Sequence, residues 1–95
     1  MISKEYIVYI VRCADRTLYT GITKDLDRRI DEHNSSDKGA KYTKIRRPVV
    51  LVYDELQSDR SLASKREYAI KKMSRKEKLE LVGLRGYNAP SNSNQ

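Results

Sequence analysis

Cysteine, histidine and long apolar runs are scarce in this sequence. Its 95 residues include one cysteine and one histidine, which excludes an intramolecular disulfide and a metal site built from several Cys and His ligands. No stretch approaches the ~20 apolar residues of a membrane-spanning helix, and the N-terminus lacks the long apolar segment of a secretion signal. Cys13 follows an apolar run, which predicts a buried, reduced thiol. We therefore expect a cytoplasmic protein without a membrane partner.

The length of the chain predicts a single domain. Ninety-five residues lie near the low end of the sizes at which one core folds unaided. We expect that domain to span residues 1–86, to be monomeric and to leave no room for a separate DNA-targeting domain. The tail 87–95 is rich in Asn, Ser and Pro and is predicted to be disordered.

The chain is strongly basic. Its formal net charge is +7 and its isoelectric point is about 9.6, with Lys and Arg spread along its length. A surface of this kind attracts polyanions, so nucleic acid is the first expected partner. Of the two nucleic acids we expect DNA rather than RNA, a preference that the charge does not establish. The alternative is a soluble basic surface that touches ribosomal RNA only incidentally, and charge alone does not separate the two.

Hydrophobic patterning predicts three β-strands. Residues 6–13 are apolar on both alternating faces, which is typical of a central strand covered on both sides. Residues 17–22 alternate and form its hairpin partner, and a β-branched run at 49–53, extending to 56, predicts the third strand. Gly21 at the end of the second strand indicates close approach by a neighbour or a ligand.

The same patterning predicts three longer helices. The first spans residues 24–33 with Thr23 as its N-cap, and the second spans 60–72 after a cap at Ser58 or Asp59. A capping box at residues 74–77 opens the last helix, which ends between 83 and 86. Residues 34–48 are polar and basic, and we predict a loop with one helical turn.

Polar residues interrupt the apolar stripes of these helices. Arg29 and His33 fall on the stripe of the first helix that faces the sheet, and Glu67 falls on the stripe of the second. Hydrolysis of a phosphodiester needs a base, a cation beside the phosphorus oxygens and stabilisation of the leaving oxygen. Glu67 is a hard oxygen ligand suited to Mg²⁺, and Arg29 matches a phosphate with two donors.

Two residues are candidates for the base. A free phenol has a pKa of ~10 and a free imidazole one of ~6.5, so His33 needs less perturbation than Tyr19 to act near neutral pH. Both candidates remain open on these grounds.

Each candidate also has a structural alternative. Tyr9 lies on an apolar strand and is suited to the core. His33, near a helix C-terminus, is suited to a favourable interaction with the helix dipole. Glu67 is suited to an ion pair with Lys71 one turn along its helix. Arg29 is suited in the same way to an ion pair with Asp25 or Glu32.

The order and spacing of these residues resemble a known family. Val8-Tyr9 and Tyr19-Thr20-Gly21, followed by Arg29, His33 and Glu67, are similar to the motifs of the GIY-YIG nuclease superfamily. The segment 39–43, Gly-Ala-Lys-Tyr-Thr, is typical of its short stand-alone bacterial members, the UPF0213-like proteins. The chain departs from the usual motifs at Ile7, which replaces a glycine, and at Ile22, where some members have a lysine.

The resemblance implies a fold and an activity. The fold is an α/β domain with a small three-stranded antiparallel sheet flanked by helices on both faces. The activity is that of an endonuclease dependent on Mg²⁺ or Mn²⁺, with Glu67 as the metal ligand. By the same resemblance Tyr19 is the base and Tyr9 its positioning partner, and Arg29 and His33 complete the catalytic set.

The basic loop is the predicted surface for nucleic acid. We expect its cations to grip backbone phosphates and Tyr42 to stack on an unpaired base; these cations are Lys38, Lys41, Lys44, Arg46 and Arg47. Two further classes of function are possible for the chain. One is a nucleic-acid-binding module of the same fold that cleaves poorly or not at all, and the second is a subunit that acts within a larger assembly.

Overall fold

A three-stranded antiparallel sheet organises the chain. The computed structural model describes residues 5–84, so the predicted tail at 87–95 lies outside the described residues. The elements are β1 (Tyr6–Arg12), β2 (Leu18–Thr23), α1 (Leu26–Ser35), α2 (Lys41–Lys44), β3 (Val50–Gln57), α3 (Arg60–Lys71) and α4 (Arg75–Leu84). The predicted α/β class and antiparallel sheet are confirmed. Within the described residues, no helix is long and apolar enough to cross a membrane.

The strand order is β2-β1-β3, with the apolar strand β1 in the centre as predicted. Both neighbours run antiparallel to β1, and Tyr9 is paired with Gly21 on one side and with Asp54 on the other. Because paired residues point to the same face, this register places Gly21 directly beside Tyr9.

Helices cover both faces of the sheet. On one face, Val8 and Ile10 of β1 belong to a buried cluster with Ala63 and Ile70 of α3 and Val82 of α4. On the other face, α1 contributes its apolar stripe to a second cluster; the buried members of this cluster are Tyr9, Val11, Cys13 and Val49. The prediction that Cys13 is buried is confirmed.

The predicted N-cap of α1 is wrong by two residues. Thr23 still pairs with Ile7 in the sheet, so the helix starts later than predicted. The cap is Asp25, whose carboxylate accepts a hydrogen bond of 3.1 Å from the backbone N–H of Arg28. The caps of the two later helices are as predicted. Asp59 caps α3, and Ser74 and Glu77 form a reciprocal capping box at α4.

The basic segment between α1 and β3 contains the predicted single turn, α2. Its end is tied to α1 by Arg47, whose guanidinium donates to the backbone oxygens of Glu32, His33 and Ser36. These carbonyls lie at and just beyond the C-terminus of α1, where helix carbonyls run out of intrahelical partners, although those of Glu32 and Ser36 also accept one backbone N–H each. Arg47 therefore stabilises the end of α1 and fixes the approach of the chain to β3.

Candidate functional site

A buried hydrogen-bond chain connects the sheet to the basic segment. The hydroxyl of Tyr9 lies 2.7 Å from Nε2 of His33, and Nδ1 of the same imidazole lies 2.8 Å from Oγ1 of Thr43. Tyr9 is 1% exposed, and His33 and Thr43 are fully buried. The periodicity of α1 correctly placed His33 towards the sheet. Thr43 was not among the predicted site residues.

The geometry of Thr43 indicates the tautomer of His33. The Thr43 hydroxyl donates its single proton to the carbonyl of Ala40 at 2.9 Å, so it accepts a hydrogen bond from Nδ1–H of His33. Nε2 is then the acceptor for the Tyr9 hydroxyl. The backbone N–H of Ala40 also points at Nδ1, which would favour the opposite tautomer. That contact is 3.4 Å long and is therefore weaker than the 2.8 Å hydrogen bond to Thr43.

Burial keeps the Tyr9 phenol and the His33 imidazole neutral. It raises the pKa of Tyr9 to about 12, although the hydrogen bond and the charge of Arg29 act in the opposite direction. It lowers the pKa of His33 to about 4, and the nearby positive charge of Arg29 adds to this effect. His33 therefore has no charge near neutral pH, and both its nitrogens are engaged.

Gly21 leaves the space that Tyr9 occupies. A Cβ atom at this position would lie 2.5 Å from the Tyr9 phenol oxygen, far closer than van der Waals contact allows. The prediction that Gly21 permits a close approach is confirmed, and the approaching group is a neighbouring side chain.

Tyr19 packs between the buried hydrogen-bond chain and the surface of the protein. Its ring meets the edge of His33 with centroids 5.4 Å apart and stacks on Tyr42 with centroids 5.9 Å apart. The Arg46 guanidinium lies 3.8 Å from the centre of the Tyr42 ring and also pairs with Asp15 at 3.0 Å. Tyr42 is therefore already stacked on protein groups, and Arg46 already has an anionic partner.

Arg29 lies beside these aromatic rings. It interacts with the Tyr9 phenol, and its guanidinium also donates to Glu32 at 2.9 Å and to the carbonyl of Lys38 at 2.8 Å. The ion pair with Glu32 is one of the two that the sequence suggested for Arg29 as a structural role. Arg29 therefore combines this pairing with a position next to Tyr9.

Glu67 approaches from α3 and is half-buried. Its negative charge contributes to the raised pKa of Tyr9, so it acts on the same group of residues. The carboxylate also pairs with Lys71 at 3.2 Å, as the structural alternative predicted. The five residues predicted from the sequence thus share one electrostatic environment.

The model of the GIY-YIG catalytic domain matches residues 5–80 of this chain. The chain belongs to the GIY-YIG family. Among curated relatives, it is 62% identical to the UPF0213 protein DP2720 of Desulfotalea psychrophila, over 88% of this chain and 78% of that one. It is 57% identical to the UPF0213 protein SSP2268 of Staphylococcus saprophyticus, over 82% and 94% of the two chains.

Two solved structures resemble this GIY-YIG domain. The solution structure of the protein EF2693 from E. faecalis has a TM-score of 0.60 and 39% identity, covering 94% of this chain and 96% of that one. The solution structure of the UPF0213 protein BH0048 from Bacillus halodurans has a TM-score of 0.57 and 45% identity, covering 86% of each chain. Both the fold and the membership of the UPF0213-like group are therefore confirmed.

The donor set of this GIY-YIG domain suits a hydrated metal ion. Among residues 5–84, no three His, Cys, Asp or Glu side chains lie close enough together to hold a metal. Mg²⁺ keeps several waters and takes one or two carboxylates plus substrate phosphates, so a single partly exposed carboxylate fits it. Glu67 is a carboxylate of this kind, and its present partner is Lys71. Zn²⁺ in a closed structural site needs four protein ligands, which these residues do not provide.

The lowered pKa of His33 makes folding sensitive to mild acid. Its pKa lies below the ordinary value, so the folded state disfavours protonation and stability falls as the pH drops from about 6.5 towards 4. We expect the free energy of unfolding to fall by about 2 kcal/mol between pH 8 and pH 5. Chemical denaturation across this range measures it, with His33→Gln as the comparison because the chain has one histidine. An equal decline in both proteins would contradict the burial of a neutral imidazole.

The same imidazole can be observed directly. In ¹⁵N NMR spectra we expect His33 to be neutral at pH 6, with its proton on Nδ1. Thr43→Val should abolish that preference, because it removes the acceptor at Nδ1, whereas Thr43→Ser should retain it. A proton on Nε2 in the unchanged protein would reverse the assigned direction of the Tyr9 hydrogen bond.

Proposed function

We propose that this protein is a metal-dependent endonuclease that hydrolyses phosphodiester bonds of nucleic acid. The observation that supports this most strongly is the set of contacts that joins residues from three separate elements, Tyr9 of β1, Tyr19 of β2, and Arg29 and His33 of α1. Glu67 of α3 is linked to them through the effect of its charge on Tyr9. Membership of the GIY-YIG family makes nuclease chemistry the expectation for such a cluster.

Tyr19 is the proposed general base. His33 is less suited, because both its nitrogens are hydrogen-bonded and its side chain is fully buried. Tyr19 is only partly buried, so it is more accessible to an attacking water than His33 is. His33 then acts through its contacts, holding the Tyr9 hydroxyl and packing against the edge of Tyr19.

The remaining roles follow from charge. Arg29 is always protonated, and its guanidinium suits the negative charge that develops on the phosphorus oxygens. Tyr9 donates its hydroxyl proton in the hydrogen bond to His33, so its oxygen is left to accept a hydrogen bond from the Arg29 guanidinium. Glu67 would hold the metal ion, which supplies further charge stabilisation when bound.

Three lysines are the proposed phosphate contacts of the basic loop. Arg46 and Arg47 each use two of their three guanidinium nitrogens in hydrogen bonds within the protein. Lys38, Lys41 and Lys44 form no salt bridge in the described part of the chain. We propose that these lysines contact the backbone without reading bases. Tyr42 would stack on a base only by giving up part of its packing against Tyr19 or Arg46.

Removing these lysines should weaken binding to all sequences alike. Replacing Lys38, Lys41 and Lys44 with Ala is expected to lower the slope of log affinity against log salt by roughly one unit for each phosphate that the loop no longer neutralises. Binding titrations at several salt concentrations measure this slope. An unchanged slope and affinity would exclude the loop from the binding surface.

A second candidate is a nucleic-acid-binding module that does not cleave. It is favoured by the engagement of the two charged groups within the protein, Glu67 with Lys71 and Arg29 with Glu32. Catalysis requires Glu67 to leave its ion pair with Lys71 and to bind a metal ion instead. The two candidates therefore differ in Mn²⁺ binding, which an endonuclease should show and lose in Glu67→Gln, whereas a binding module should show neither.

A further inference from the structure

The turn between the last two helices concentrates positive charge. We call residues 71–78 the α3–α4 corner. These eight residues include five basic side chains and one acidic side chain; the basic ones are Lys71, Lys72, Arg75, Lys76 and Lys78. All of them except Lys78 are exposed. The density of positive charge here is as high as in the basic loop, and the arrangement is more open.

Most of the positive charge of the corner has no carboxylate partner in the described residues. The one acidic residue of the corner, Glu77, uses its carboxylate to accept the backbone N–H of Ser74 at 2.8 Å. Among the described residues, Lys72, Arg75 and Lys76 form no salt bridge, and all 13 acidic side chains of the chain lie between residues 5 and 84. Residues 1–4 and 85–95 thus contain no Asp or Glu that could neutralise the corner.

The position of two of these cations is unfavourable for folding. Arg75 and Lys76 occupy the first turn of α4, where the helix dipole favours negative and not positive side chains. The same turn contains one acid, Glu77, which takes part in the capping box. Helix stability gives no reason for the two cations, and a binding role supplies one.

The corner also adjoins the proposed catalytic site. Lys71 pairs with Glu67 at 3.2 Å, so the corner starts one helical turn, or about 5.4 Å, beyond the proposed metal ligand. Tyr68 lies beside it, 64% exposed, with the Lys72 ammonium 5.0 Å from its ring centre. Exposed aromatic rings among cations are typical of surfaces that follow a nucleic-acid backbone.

We propose that the α3–α4 corner binds the phosphate backbone of the nucleic acid on one side of the bond to be cleaved. The inference rests on the proposed function for the location of that bond, but the binding itself needs no catalysis. The lysines of the basic loop and the corner then contact separate parts of the same ligand.

Two triple variants with equal loss of charge test the corner. The first is Lys72→Gln, Arg75→Gln and Lys76→Gln. The matched control is Arg16→Gln, Lys24→Gln and Arg28→Gln, which removes three exposed cations from three places outside the corner. Fluorescence anisotropy with a labelled DNA duplex and a labelled single strand, in EDTA and at several salt concentrations, gives the affinity and its salt slope.

The corner variant should bind at least about tenfold more weakly at low salt and lose roughly two to three units of slope, and the control should change by less than threefold. The midpoint of thermal unfolding of the corner variant should not fall below that of the unchanged protein. Equal losses in the two triple variants would overturn the role of the corner while leaving the proposed function intact. If the unchanged protein binds neither ligand in EDTA, the inference is wrong, whereas the proposed function is decided separately by the cleavage of DNA and RNA substrates.

Discussion

Replacing Arg29 or Glu67 with Ala is expected to lower the rate of nucleic-acid cleavage by about 10²- to 10³-fold while leaving binding largely intact. Each side chain is proposed to act on charge that develops in the transition state, and removal of one such group typically costs a few kcal/mol of barrier. Single-turnover cleavage rates and separate binding titrations distinguish the two effects. The loss should appear in the rate and not in the affinity.

Neighbouring residues provide the controls for this result. Arg28 lies next to Arg29 on α1 with its side chain 68% exposed, and Glu80 is an exposed acid on α4. Arg28→Ala and Glu80→Ala should cleave at close to the rate of the unchanged protein. Circular dichroism establishes that the variants are folded. Folded Arg29→Ala and Glu67→Ala proteins that cleave at full rate would remove both residues from the catalytic set.

Tyr19→Phe should abolish cleavage at every pH. The substitution retains the ring, and with it the packing against His33 and Tyr42, but removes the oxygen proposed to take the proton. His33→Gln should leave a weaker enzyme with a similar pH profile, because His33 is proposed to position neighbouring groups and not to accept a proton. The activity of the unchanged protein should rise towards alkaline pH, since a phenol acts as a base only after it loses its proton.

Tyr6→Phe is the matched control for this experiment. Tyr6 lies on β1 and packs in the cluster on the opposite face of the sheet, so losing its hydroxyl should not affect the rate. Two results together would transfer the role of base to the imidazole. They are substantial activity in Tyr19→Phe and the loss, in His33→Gln, of the midpoint in the plot of activity against pH.

Periodicity predicted those parts of the fold and site that depend on local pattern. Arg29 and His33 were placed towards the sheet because they share the stripe of Leu26 and Ile30, and α1 covers the sheet with that stripe. Glu67 was placed in the same way, between Ala63 and Ile70. A repeating apolar pattern fixes which face of a helix is buried, and a polar residue on that face therefore stands out as unusual.

The contacts of the basic segment could not be predicted in this way. Thr43 binds His33 across ten residues, and Arg47 reaches back to carbonyls 11 to 15 residues earlier. No periodicity connects a loop residue to a helix end, because the contact depends on the path of the chain between them. The one available signal was the segment 39–43, which resembles that of the short stand-alone relatives. Its threonine is the residue that holds the imidazole.

The central claim is that the clustered residues hydrolyse phosphodiesters with a divalent metal, and a cleavage assay with the purified protein tests it most directly. The substrates are labelled single-stranded, duplex and branched DNA and the corresponding RNAs, each incubated with Mg²⁺, with Mn²⁺ and with EDTA. We predict cleavage of at least one substrate with metal, none in EDTA, and a rate for Glu67→Gln that is lower by at least about 10²-fold with either metal. Binding that is independent of metal, with no cleavage of any substrate, would contradict the account and identify the protein as a binding module.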